Sequence, residues 1–158
     1  MSKVIGDRLP DVMMQAFDGD DLDAKIGPAY LVVTVDDDGG PRSCMLSAGE
    51  ILAVDDRHLR LALWPDTTTG HNLEQGRSVL FCFVAPGIVH YAKGRSRRLS
   101  DGGTTGLEHF EIEVETVESD AHPEMPVKGP ITYDVEAHDR AGVTAAWSRQ
   151  LDGLARSG

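Results

Sequence analysis

Two segments of this chain, 29–35 (AYLVVTV) and 78–84 (SVLFCFV), are nearly unbroken apolar runs rich in β-branched and aromatic residues. That is the pattern of strands covered on both faces. Around them the period is two. In 58–64 Leu59, Leu61 and Leu63 point one way, and Arg60, Ala62 and Trp64 the other. In 107–117 Phe110, Ile112 and Val114 alternate with Glu111, Glu113 and Glu115, which predicts a strand with one wet face. Residues 88–99 read as a long strand, 41–47 and 50–54 as shorter extended segments, and Ile131, Tyr133 and Val135 as one more. Turn residues punctuate these runs: DDDGG at 36–40, DDR at 55–57, Pro86 with Gly87, and a glycine-rich turn at 101–103. Residues 18–23 form an acidic loop, and 120–130 an irregular Pro-rich one.

Helical spacing occurs in three places. Residues 9–16 fit a short amphipathic helix, and 68–75 a short helix closed by Gly76. Residues 137–155 place Val143, Trp147, Leu151 and Leu154 on one face. Hairpin-linked antiparallel strands with one inserted helix and one terminal helix predict a mainly β fold, a closed or split β-barrel. Closure would hide the edges of the two most apolar strands. With 158 residues and no repeat, low-complexity tract or linker, the expectation is a single domain spanning 1–158.

Charge narrows the partners. Fifteen basic residues stand against 26 acidic ones, a formal net of −11. Such a surface disfavours nucleic acid and anionic membrane. The first residues lack the apolar run of a signal peptide, and no stretch approaches the length of a membrane span. Cys44 and Cys82 are isolated within apolar runs and read as buried thiols of a reducing cytoplasm, the expected location. The histidines at 58, 71, 90, 109, 122 and 138 have no ligand spacing, so no metal site is expected. No GxSxG or HExxH motif and no recognisable catalytic carboxylate pair is found.

The candidate chemistry lies in 62–76, ALWPDTTTGHNLEQG. There a strand delivers Thr67, Thr68 and Thr69 to the start of a helix. Hydroxyls and unpaired amides at such an end suit an anion, most commonly phosphate. The simpler reading is that Asp66 or Thr67 only caps the helix. Lys93, Arg95 and Arg97 share one strand face. They serve either a phosphate or partner, or cross-strand ion pairs with Glu111 and Glu113; the register decides. His71 reads as a solvated helix residue, Trp147 as packing, and His90 and Tyr91 as core or dimer packing.

Three segments together resemble the pyridoxamine 5′-phosphate oxidase-like, flavin-binding split-barrel family. AYLVVTVDDDGGPRSCML is similar to its opening hairpin. LRLALWPDTTTGHNLEQGRSVLFCFV is similar to its strand, small-polar loop, helix with Asn-Leu and following strand. VHYAKGRSRRL resembles its strand with a glycine flanked by basic residues. The match covers about residues 29–118.

The resemblance implies a homodimer with FMN at the subunit interface. By position, Thr67, Thr68 and Thr69 match the phosphate loop, and Asn72 with Leu73 the helix supporting it. Arg42 and Ser43 match the segment beside the flavin ring. Trp64 and Pro65 lie where the strand reaches the phosphate. Family members commonly carry Arg or Lys near positions 68 and 69, where this chain has Thr, with Asp66 adjacent. Lys93 or Arg95 would then supply the missing cation. The implied activity is a flavin-dependent oxidoreductase of unread substrate. The alternative is a non-enzymatic split-barrel binding module, a sensor, carrier or partner protein that has lost flavin or holds another ligand.

Overall fold

The computed structural model describes residues 1–100 and 105–158. Among them one antiparallel sheet is built from β1 (Lys3–Gly6), β2 (Pro28–Val35), β3 (Pro41–Leu46), β4 (Ile51–Asp55), β5 (His58–Leu63), β6 (Ser78–Ala85), β7 (Ile88–Arg98), β8 (Glu108–Asp120) and β9 (Ile131–Thr132). Three α-helices accompany it: α1 (Asp11–Ala16), α2 (Thr68–Glu74) and α3 (Arg140–Arg156). The order across the sheet is β3-β2-β6-β7-β8-β5-β4, with β1 beside β8 and β9 beside β2. The path begins at β3 and ends at β4, two strands that do not pair with each other. The barrel is therefore split, a curled sheet with the core inside the curl. The glycine-rich turn expected at 101–103 lies outside the described residues.

The register explains the inner face. Tyr30 and Val32, Phe81 and Phe83, and Ala92 are buried on β2, β6 and β7. Phe17, just after α1, inserts edge-on against Tyr30, Phe81 and Phe83 at centroid distances of 4.8, 5.5 and 5.8 Å. Each such ring removed from water contributes roughly 2–3 kcal/mol. Leu59 and Leu61 of β5 meet Phe110 and Ile112 of β8 directly across the ladder.

The helix α3 packs against β4 and β5 through its apolar stripe. Trp147, Leu151 and Leu154 are buried, with Val143 packed beside the core. Its C-terminus is held by Arg60, whose Nη1 donates to the carbonyls of Leu154 (2.8 Å) and Ser157 (2.6 Å). Arg60 Nε also donates to the buried Glu111 carboxylate at 2.9 Å.

Several expectations need correction. Within one chain the runs at 29–35 and 78–84 are fully covered on the inner face alone. Their inward residues are buried, but Leu31, Val33, Leu80, Cys82 and Val84 are only half-buried on the outer face. Cys82 is thus an outer-face thiol, and Cys44 is also half-buried, so neither is fully in the core. The segment 50–54 starts with a 3-10 turn at Ala48–Glu50 before β4. Of the strand sought at 131–135, only Ile131–Thr132 pairs, against Pro28 and Ala29. β1 escaped sequence reading because its four residues are all exposed and carry no alternation.

Candidate functional site

The start of α2 is built by three local devices. Asp66 takes a left-handed backbone (φ +59°), which turns the chain out of β5. Thr67 is the N-cap, and its hydroxyl accepts the Gly70 N–H at 3.1 Å. Of the two caps considered from sequence, Thr67 is the one used. Thr69 points inward, 8% exposed, beside the Cys44 thiol. Burial raises the Cys44 thiol pKa, and the Thr69 contact only partly offsets it. Thr68 alone of the three threonines is exposed.

Asn72 does not face solvent either. Its Nδ2 donates to Thr34 Oγ1 at 3.0 Å and to Asp36 at 2.7 Å. Arg42 Nε donates to the same Asp36 carboxylate at 2.8 Å. Hydrogen bonds from Arg42 and Asn72 hold the Asp36 carboxyl below its ordinary pKa. Arg42 and Asn72 therefore converge, but on the hairpin carboxylate, where they lock α2 to β2. Ser43 faces the outer side of the sheet, in register with Val33. Trp64 is 69% exposed at the end of β5, and Pro65 is exposed after it.

The basic residues of β7 are explained by the register. Arg97 bonds Glu111 at 2.6 Å, Arg95 lies 3.5 Å from Glu115, and Lys93 pairs with Glu118. Ion pairs thus occupy all three, with Glu111 as expected but with Glu115 and Glu118 in place of Glu113. The pairing of Arg95 with Glu115 follows from a bulge: Lys93 faces Thr116 but Gly94 faces Val114.

Thr67 and Thr68 do line a polar cavity of about 410 Å³, together with Asp66, His71, Glu74, Arg98 and Glu108. Its charge balance is unsuited to a phosphate. Three carboxylates line it, and its guanidinium is spent on Glu74 (3.2 Å) and Glu108 (2.9 Å). Lys93 lines a different cavity, beside Val33, Leu80 and Glu115. The residues carried over for the phosphate end of FMN therefore do not assemble into a phosphate site.

A second cavity, about 420 Å³, lies at the far end of β3 and was missed from sequence. Met45, Leu46 and Ser47 form one wall, Ile131–Tyr133 another, and Val143 with Trp147 the third. Trp147 is fixed because it presses on Gly49; a Cβ there would stand 1.9 Å from its Cγ. Glu50 contributes one carboxylate, whose Oε2 accepts from Ser47 N (2.6 Å) and Oγ (2.8 Å). The Tyr133 hydroxyl is buried with no hydrogen-bond partner among the described residues. Burial pushes its pKa up, outweighing an opposing contribution from the Gly27 backbone, with the Glu50 charge adding to the rise, so it remains a donor. The mouth carries Met45 (59% exposed) and Ile131 (54% exposed). Volume and apolar lining suit a small planar molecule, with one donor and one acceptor to orient it. The available signals were Trp147 and Val143, which sequence reading assigned to packing alone.

Met45 also belongs to the outer sheet face. It pairs with Leu31, Leu31 with Cys82, and Cys82 with Tyr91; the next rung is Ser43, Val33, Leu80 and Lys93. The cavity and this half-exposed apolar face meet at Met45. Among the described residues no group of three His, Cys, Asp or Glu side chains could hold a metal ion. No helix among them is long and apolar enough to cross a membrane.

No family model matches the chain. It is 27% identical over 150 residues to the uncharacterized protein YclD of Bacillus subtilis, covering 94% of this chain and 96% of YclD. A candidate pyridoxamine 5′-phosphate oxidase of Lactobacillus delbrueckii superposes with a TM-score of 0.54 at 15% identity, over 74% of this chain and 98% of that one. The FAD and heme binding protein of Mycobacterium smegmatis gives 0.51 at 12% identity, over 78% and 75%. The fold is that of the pyridoxamine 5′-phosphate oxidase-like split barrels.

Proposed function

We propose that this chain is a homodimeric split-barrel protein that binds a flavin-type cofactor, FMN being the form its resemblance implies. The observation that carries this is the apolar cavity at the end of β3, open onto the outer sheet face. A flavin bound there would supply the redox chemistry of an oxidoreductase. The chain's own part is binding and orientation. Trp147 would wall the ring, the Tyr133 hydroxyl would donate to a ring oxygen, and Glu50 would accept from a ring N–H. A second copy over Leu31, Val33, Leu80, Val84, Val89 and Tyr91 would bury their half-exposed side chains and exclude water from the mouth. A fold neighbour that binds FAD and heme lends support for a flat, conjugated ligand.

The non-enzymatic binding module remains the second reading. The carboxylate-lined cavity at α2 favours it, because its one guanidinium, Arg98, is held by Glu74 and Glu108. Flavin fluorescence on titration with the protein tests the proposal. Saturable quenching is expected, with Tyr133→Phe weakening affinity about fivefold for one lost hydrogen bond of about 1 kcal/mol. Fluorescence unchanged by excess protein would refute it and leave the second reading.

A further inference from the structure

A phosphate seated at the start of α2 would need free amides, free hydroxyls and a cation. The chain has committed most of these to itself, the exposed Thr68 hydroxyl excepted. The Thr67 hydroxyl holds the Gly70 amide, and Thr69 is turned onto Cys44. Gly70 lets β8 come close: a Cβ at that position would stand 3.1 Å from Glu108 Oε2. The Glu108 side chain is thus against the first turn of the helix. Its other oxygen accepts from Arg98 at 2.9 Å, and Arg98 is bonded to Glu74 as well. Asp66 adds a third carboxylate to the same cavity. Arg42, Lys93 and Arg95 are occupied by Asp36, Glu118 and Glu115 respectively. An arriving dianion would meet net negative charge.

We infer that Glu108 closes the start of α2 to a phosphate group, so that any flavin held by this protein is held by its ring and without selection for its phosphate. The ligand class that follows is the dephosphorylated flavin, riboflavin, accepted on equal terms with FMN. This second clause rests on the flavin reading; the closure at α2 does not.

The test has two readouts. Riboflavin and FMN are titrated separately into wild type and Glu108→Gln, which keeps shape and removes charge. The amide resonances of Thr68, Thr69 and Gly70 are then followed by NMR as inorganic phosphate is added to each. In wild type, the two flavins should bind within about threefold of one another and phosphate should leave the amides unmoved. In Glu108→Gln, FMN should gain at least about threefold over riboflavin, because one repulsive charge is gone. FMN binding about tenfold or more tighter than riboflavin in wild type would overturn the inference. So would phosphate-induced shifts at Thr68–Gly70 in wild type. If neither flavin binds, the flavin reading falls, and the amide shifts still decide whether the site is closed.

Discussion

Replacing Gly94 by Ala strikes a close approach of β7 to the β8 backbone. Gly94 sits at the bulge between Lys93 and Arg95. An added Cβ would stand 2.0 Å from the Glu113 carbonyl oxygen and 2.9 Å from its carbon. Ordinary contact needs roughly 3.5 Å, so the overlap is about 1.5 Å against backbone rather than against a movable side chain. The strands must separate there. Overpacking of this kind costs about 1–3 kcal/mol, and a lost ladder bond adds about 1. The expected loss is therefore about 3 kcal/mol, which for a domain of this size lowers Tm by roughly 6–12 °C. Circular dichroism melts and urea titrations of the two proteins measure it. Gly142→Ala is the control, because nothing lies within 4 Å of a Cβ there and the site is in α3. That change should be neutral or gain up to about 1 kcal/mol. A Gly94→Ala protein melting within about 2 °C of wild type would refute the reasoning.

Glu111→Gln should cost about 3 kcal/mol in a urea titration, since it leaves the Arg60 guanidinium in a buried site without its counter-charge. The same residue sets a pH dependence. Burial alone would raise the Glu111 carboxyl, but hydrogen bonds from Arg60 and Arg97 outweigh it and hold it below its ordinary 4.5. A lowered folded pKa stabilises above 4.5 and is lost as pH falls through the folded value. Wild-type Tm should thus fall on acidification below that point, and Glu111→Gln should show a shallower fall. Gly49→Ala should displace Trp147, shifting its buried emission toward that of the exposed Trp64 and weakening flavin quenching. An unchanged emission spectrum would count against Trp147 as the cavity wall. Asn72→Ala should cost about 2 kcal/mol by cutting α2 from Thr34 and Asp36; an unchanged Tm would contradict that lock.

Period and punctuation made most of the fold legible. The alternation through 58–64 and 107–117 survives as β5 and β8, and DDDGG is the turn between β2 and β3. The stripe of Val143, Trp147, Leu151 and Leu154 does pack α3 on the sheet. The outer face was misread because an apolar run specifies low polarity, not which molecule covers it. The site was less legible than the fold. Three threonines in a row look alike in sequence, yet one caps, one faces solvent and one is buried on Cys44. Glu108 lies far along the chain from Thr67, and only the pairing of β5 with β8 brings it to α2. The cavity beside Trp147 joins β3, β9 and α3, so no local pattern announces it.

The proposed function requires this split barrel to hold a flavin as a dimer. Size-exclusion chromatography of the protein incubated with excess flavin, with light scattering and visible absorbance recorded on one eluting peak, addresses both halves at once. The expected result is a peak with the mass of two chains carrying flavin absorbance in near-stoichiometric amount. A colourless protein peak, with all the flavin eluting as free small molecule, would contradict it.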